Sequence, residues 1–188
     1  MLFRSYSHVL STSAIVVISF CSFAASPARA YEANDRWTST ATNGSTGAQG
    51  TPVTLTWSLV PDGTQVPADT GGYSPSNLIS FLDDLIGAGP GGTDYTQRPW
   101  FTYFEQSYQR LSEVAGLTII YEPHDDGIRH DGSVSTSGAL GVRGDMRVGS
   151  SAFATNSSTL AFNYYPRFGG DMVINPNQGD YFGKPAND

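Results

Sequence analysis

The sequence contains only one cysteine, Cys21, among its 188 residues. This cysteine lies in an apolar segment near the N-terminus, and residues 31–188 contain none. Disulfide-stapled scaffolds are therefore excluded for that part of the chain. No apolar run reaches the ~20 residues that a transmembrane helix needs. The sequence thus predicts neither a disulfide scaffold nor a membrane-spanning protein.

Basic residues are also scarce, because 10 Lys and Arg oppose 17 Asp and Glu and give a formal net charge of −7. Loss of the N-terminal segment removes Arg4 and Arg29 and no acidic residue, which brings the charge to −9. This negative charge repels a polyanion such as DNA, so we expect no nucleic-acid binding.

The N-terminal segment has the three parts of a secretory signal peptide. Arg4 supplies the positive charge, residues 14–25 (AIVVISFCSFAA) form the apolar region, and Ala28-Arg29-Ala30 is a small-x-small cleavage site. The sequence therefore predicts a signal peptide over residues 1–30 and a secreted, periplasmic or extracellular product with no membrane attachment. An uncleaved anchor is the alternative interpretation.

Residues 31–50 are small and polar, without a helical or strand period, and are predicted to form a flexible N-terminal arm that packs little. Residues 51–188 suit one domain. Within it, residues 53–59 (VTLTWSL) alternate apolar and polar side chains, as a strand does.

Two helices and four further strands are predicted after this first strand. Ser74-Pro75 and Asn77 provide helix-start signals and Gly87 a stop, whereas the second helix ends at Gly116. The helices span residues 77–86 and 99–115, and the strands span residues 117–122, 140–148, 159–165 and 172–174. A helix that leads directly into a strand indicates a crossover unit, so the predicted class is α+β, close to α/β.

The most polar loop of the domain is His124-Asp125-Asp126-Gly127-Ile128-Arg129-His130-Asp131-Gly132. Oxygen-rich turns of this kind bind calcium, and His with Asp can hold zinc, so His124, Asp125 and Asp131 are candidate metal ligands. The spacing matches no EF-hand and no zinc knuckle. A solvated turn between strands is the alternative.

Other catalytic signatures are missing from the sequence. It has no Gly-x-Ser-x-Gly elbow and no glycine-rich phosphate loop of the usual types. Asp83 and Asp84 are adjacent on a predicted helix, where they point in different directions and are typical of surface charge.

Three segments together resemble the matrixin-type metalloprotease domain of the metzincin group. Residues 104–122 run from FEQSY to GLTIIYE and are similar to the family's "F…W…gLtF.E". Residues 140–149 (LGVRGDMRVG) resemble its "aDI.I.f" strand. Residues 158–175 contain STLAFNYYP followed by GGDMVIN and resemble "GvLAhAf.P…GGDahFD". The order and spacing of the three segments carry the resemblance.

The resemblance implies a twisted, mixed five-stranded sheet with helices packed on it, as in the upper subdomain of a metzincin. It also implies an antiparallel edge strand that binds an extended peptide or protein substrate by backbone pairing. Here that strand contains Thr159, Leu160, Ala161 and Phe162. The alternative is that Leu160 and Phe162 are simply residues of the hydrophobic core.

The resemblance further implies a catalytic zinc held by His-Glu-x-x-His-x-x-Gly-x-x-His, with the glutamate as general base. This chain has no Glu beyond Glu122 and no His beyond His130, so the zinc ligands are missing. The family also has a structural zinc, and the positions of its histidine ligands are occupied here by Phe162 and Val173. The resemblance also implies a structural calcium, for which Asp171 or Asn175 could be ligands.

The sequence therefore predicts a secreted matrixin-like zinc endopeptidase present as a fragment, truncated at the C-terminus before its zinc helix and inactive as given. The alternative is a non-enzymatic secreted binding domain that depends on calcium. The sequence leaves the oligomeric state open.

Overall fold

The computed structural model describes residues 35–48, 50–130 and 138–182. These residues belong to one unit by their internal contacts. The strands are Thr54–Leu59 (β1), Gln65–Pro67 (β2), Tyr73–Pro75 (β3), Thr118–Tyr121 (β4), Met146–Ser150 (β5), Ala161–Asn163 (β6) and Met172–Ile174 (β7). The helices are Leu78–Ile86 (α1), Phe101–Ala115 (α2) and Gly179–Phe182 (α3), with 3-10 turns at Tyr95–Gln97, Pro166–Phe168 and Pro176–Gln178.

Five strands form one mixed sheet in the order β4-β1-β5-β7-β6. Strands β4, β1, β5 and β7 run parallel to one another, and β6 is antiparallel to β7. The helices between β1 and β4 make the crossover that a parallel pair requires. The predicted α+β class with a mixed five-stranded sheet is confirmed at this level.

Strand β1 lies inside the sheet, between β4 and β5, and is buried on both faces. Leu55, Trp57 and Leu59 face the helices, and the Trp57 ring stacks on those of Phe101 and Tyr108 in α2, with centroids 5.5 and 4.6 Å apart. The polar side chains that alternate with them, Thr56 and Ser58, are fully buried on the opposite face. The alternation seen in the sequence therefore separates an apolar face from a buried polar face.

Helix α1 starts differently from the sequence-based expectation. It begins at Leu78, Asn77 makes no side-chain cap, and Pro75 belongs to β3. The carboxylate of Asp62 caps the helix instead, because it accepts the N–H groups of Ile79 and Ser80 at 2.9 Å each. Capping by a residue so distant in sequence satisfies the same free N–H groups as a local cap.

Helix α2 confirms the second helix prediction. It spans Phe101–Ala115 and ends at Gly116, whose φ of 63° is the left-handed conformation favoured by glycine. The chain then enters β4, which spans Thr118–Tyr121 at the edge of the sheet.

The hairpin of β2 and β3 was not predicted. Its strands have three residues each, and each ends in proline, which is uncommon inside strands. The predicted strand over residues 140–148 is also shifted, because the observed strand is Met146–Ser150 and residues 140–142 form a turn closed by a bridge between Ala139 and Arg143.

The described part of the N-terminal arm, residues 35–48, packs on the domain, which differs from the expectation that it packs little. The Ala41 N–H donates to Asp145 Oδ1 at 2.7 Å, and Thr40 and Thr46 are buried. A Cβ on Gly170 would lie only 2.4 Å from the Trp37 ring, so that glycine permits the close approach of the ring. This segment therefore lines one face of the domain.

None of the helices in the described part of the chain combines the length and the apolar character needed to cross a membrane.

Candidate functional site

Strand β6 lies at the edge of the sheet and offers unpaired backbone groups. The Leu160 carbonyl accepts from the Asn175 N–H at 2.8 Å, and the Tyr164 N–H donates to the Asp171 carbonyl at 2.9 Å. Backbone direction alternates along a strand, so Phe162 also points towards β7, whereas Ala161 and Asn163 point outwards. Within the described residues, their N–H and C=O groups have no hydrogen-bond partner. The free edge is therefore a place for an added strand.

The side chains of β6 divide between the two faces of the sheet. Phe162 stacks on Phe153 with ring centroids 5.4 Å apart and meets the Tyr164 ring edge-on at 5.6 Å. Ala161 packs against the helix-side core. Leu160, just before the strand, is 38% exposed. A peptide strand beside β6 would thus have an aromatic face on one side and a small residue on the other.

The structure places the four predicted substrate-binding residues together at this edge. Ala161 and Phe162 lie in β6, and Thr159 and Leu160 precede it directly. Phe153 and Asn163 also belong to the edge but were not predicted. Phe153 lies in the loop after β5, and the sequence does not show that this loop packs against β6. The backbone groups of Asn163 point outwards because of the register between β6 and β7.

Asn175, a predicted metal ligand, anchors the edge from inside. Its side chain is fully buried, and Oδ1 accepts the N–H groups of Phe153 at 3.2 Å and Asn177 at 3.1 Å. Its Nδ2 donates to the Thr159 carbonyl at 2.9 Å. Asn175 therefore ties the end of β7 to the segment that leads into β6.

Asp125, another predicted metal ligand, lies in a buried ion pair beneath the sheet. Its two oxygens accept from Arg147 Nε at 2.8 Å and Nη2 at 2.6 Å, and the side chains are 1% and 0% exposed. Ser58 Oγ also donates to Asp125, at 2.7 Å. Such two-pronged pairing fixes the loop after β4 onto β1 and β5.

Asp171 and His124 are also paired with protein groups. Asp171 Oδ2 lies 2.6 Å from His130 Nε2, and its Oδ1 accepts the Arg147 N–H at 2.7 Å. His124 is exposed, with Nδ1 2.9 Å from Glu122 Oε1. Asp131 lies outside the described residues.

A metal site among these candidates stays a prediction. In the parts of the chain that the structure describes, no three His, Cys, Asp or Glu side chains are grouped so that they could hold a metal ion.

Two carboxylates in and near the polar loop, those of Asp126 and Glu122, have lowered pKa values. The hydrogen bond from the Arg143 side chain lowers the pKa of Asp126 below its ordinary value of 3.8. Burial alone would raise the pKa of Glu122, but the N–H of Gly141 and the contacts with His124 outweigh it, and that pKa is also lowered. Both groups therefore stay ionised at neutral pH and act as acceptors that hold loops.

Comparisons with protein-family models, with curated proteins and with solved structures each gave no match to this chain.

Proposed function

We propose that this chain is a secreted matrixin-like domain that binds an extended peptide along the free edge of β6. The observation that carries the proposal is the antiparallel edge strand, with the backbone groups of Ala161 and Asn163 directed outwards. An extended peptide gains its affinity there from main-chain hydrogen bonds, and alternate side chains supply specificity.

The edge is held in a fixed shape, which lowers the cost of binding. Asn175 joins three segments around β6, and the Phe153–Phe162 stack fills the face opposite the helices. A strand that is already extended and supported loses little conformational freedom when a peptide pairs with it.

Peptide hydrolysis by zinc is what the resemblance implies, but the described residues do not fit that metal. Of the two described histidines, His124 is paired with Glu122 and His130 is buried against Asp171. We therefore expect this chain to bind peptides without cleaving them. The calcium-dependent alternative gains no support, because Asp125 and Asp171 are already paired with Arg147 and His130.

Secretion forms part of the proposal and rests on the signal features of residues 1–30. Expression in a secreting host followed by N-terminal sequencing of the exported product is the test. We expect a first residue of Tyr31. A cell-bound product that starts at Met1 would contradict this part.

Peptide binding is tested with a fluorescent, uncharged peptide of alternating valine and threonine, read by anisotropy. Two comparison peptides carry N-methyl groups on every second amide, one peptide on the odd-numbered amides and the other on the even-numbered amides. The peptide methylated on the amides that face β6 should bind about tenfold more weakly or worse. Each hydrogen bond lost to β6 contributes ~1 kcal/mol, and 1.4 kcal/mol corresponds to a tenfold change in affinity. The other methylated peptide should bind with unchanged affinity. Equal affinities for all three peptides, or no binding, would contradict the proposal.

A pair of variants locates the binding edge. Leu160→Asp places a charge beside β6, and Leu111→Asp places one at a comparably exposed leucine on α2, since their exposures are 38% and 43%. We expect weaker peptide binding for Leu160→Asp alone. Equal binding by both variants would place the peptide somewhere other than β6.

A further inference from the structure

The opposite edge of the sheet, strand β4, also has free backbone groups. The N–H of Thr118 donates to Val53 and that of Glu122 donates to Trp57, so residues 118, 120 and 122 point towards β1. Ile119 and Tyr121 alternate with them and point outwards. No described residue forms a hydrogen bond with their N–H or C=O groups.

This edge lacks the features that usually prevent strands from pairing between molecules. The sequence of β4 is TIIY, without charge, proline or glycine, and two of its four residues are β-branched isoleucines. Ile120 is 43% exposed on the face opposite the helices. Natural edge strands are commonly protected by lysine, proline or a bulge, so an unprotected edge of this composition favours strand addition.

We infer that β4 pairs antiparallel with β4 of a second copy of this chain, about a two-fold axis at Ile120. The two outward residues set the register. Ile119 of each copy pairs with Tyr121 of the other, which forms four backbone hydrogen bonds and leaves Ile120 opposite Ile120. In this arrangement the two Ile120 residues form a non-hydrogen-bonded pair, whose Cα atoms lie about 4.5 Å apart.

A second copy fits this edge by charge and by shape. In this register Thr118 faces Glu122, whose carboxylate is buried and held by the Gly141 N–H at 2.8 Å, so no like charges meet. A groove of about 520 Å³ lies between β4 and α2. The side chains of Ile119 and Tyr121 lie on the groove side of the sheet. In the dimer, Ile119 and Tyr121 of the second copy lie on the same side and continue this surface. The Oγ of Ser112, which lines the groove, has no hydrogen-bond partner within the described residues.

Crosslinking tests both the contact and its register. The full chain carries Cys21→Ser together with either Ile120→Cys or Thr118→Cys. Position 120 should form a covalent dimer on mild oxidation, because its Cα separation suits a disulfide. Position 118 should not, because the two copies of this residue are offset by four positions along the strand, about 14 Å at ~3.4 Å per residue. Equal crosslinking at the two positions, or none at 120, would overturn the inference.

Sedimentation velocity gives an independent measurement without cysteine. Ile120→Lys places two positive charges at the axis, and Ile128→Lys is the control at a comparable exposure of 47%. The parent chain and Ile128→Lys should dimerise alike, and Ile120→Lys should weaken dimerisation by about tenfold or more. A monomeric parent chain, or equal loss in both variants, would overturn the inference. The dimer does not rest on the proposed peptide binding at β6.

Discussion

His130 Nε2 lies 2.6 Å from Asp171 Oδ2, and the two side chains are 0% and 2% exposed. The His130 N–H also donates to the Gln65 carbonyl, and Asp171 Oδ1 accepts the Arg147 N–H. This pair therefore connects the polar loop, the β2 strand and the start of β7 beneath the sheet.

Asp171→Asn should lower the free energy of unfolding by about 1–3 kcal/mol, because it replaces a buried carboxylate that accepts the Arg147 N–H and faces the His130 ring. Urea unfolding checks the value. Asp84→Asn on the exposed side of α1 is the control and should change stability by less than about 0.5 kcal/mol. Similar losses in both variants would show that His130–Asp171 contributes nothing specific.

Arg147→Met should destabilise the chain by about 3–5 kcal/mol, since Asp125 would remain buried without its charge partner. Adding Asp125→Asn should recover part of this loss, because no lone charge then remains. The measurement is a double-mutant cycle of unfolding free energies, with a coupling of about 1 kcal/mol or more expected. Additive losses would mean that the two side chains do not act as a pair.

The Asp126–Arg143 pair predicts a specific acid response. Because Arg143 lowers the pKa of Asp126 below 3.8 in the folded chain, the stabilisation is present above that value and is lost as pH falls through the lowered pKa. Arg143→Gln should therefore melt at a lower temperature than the parent chain above about pH 5, and the gap should narrow below about pH 4.

The control for this acid response is Arg110→Gln, whose pair with Glu113 is exposed. It should change the melting temperature little at any pH, since exposed pairs contribute little. A constant gap for Arg143→Gln across the acid range would contradict the assignment.

Gly144→Ala should destabilise the chain by about 3 kcal/mol through overpacking. A Cβ there would lie 2.5 Å from the Ser58 nitrogen and 2.6 Å from the Trp57 carbonyl carbon, which are backbone atoms of β1. Gly44→Ala is the matched control, because nothing lies within 4 Å of its Cβ. Thermal melts should separate the two variants clearly, and equal melts would contradict the close approach.

Local patterns in the sequence predicted helix α2 and strands β1 and β7. The apolar spacing of α2 and the alternation of β1 gave their positions to within two residues, and β7 is observed at residues 172–174 as expected. Strands β2 and β3 each end in proline, which is uncommon inside strands, so their local sequence does not indicate them.

The partners of the buried polar groups could not be predicted. Asp125 and Asp171 have the chemistry of metal ligands, and only the folded sheet brings Arg147 to one and His130 to the other. The edge position of residues 159–162 was an expectation from the family resemblance. The outward direction of Asn163 depends on a register with β7 that no sequence pattern contains.

The N-terminal segment on the sheet also bears on how the chain folds. Trp37 Nε1 bonds to the carbonyl of Gly169, a contact between residues 132 positions apart, and Asp35 accepts the N–H of Arg167 across the same span. Contacts of such sequence separation slow folding, because a long loop must close before they form. The segment around Trp37 can therefore make these contacts only after residues 167–169 have been synthesised, so the domain completes its fold late in synthesis.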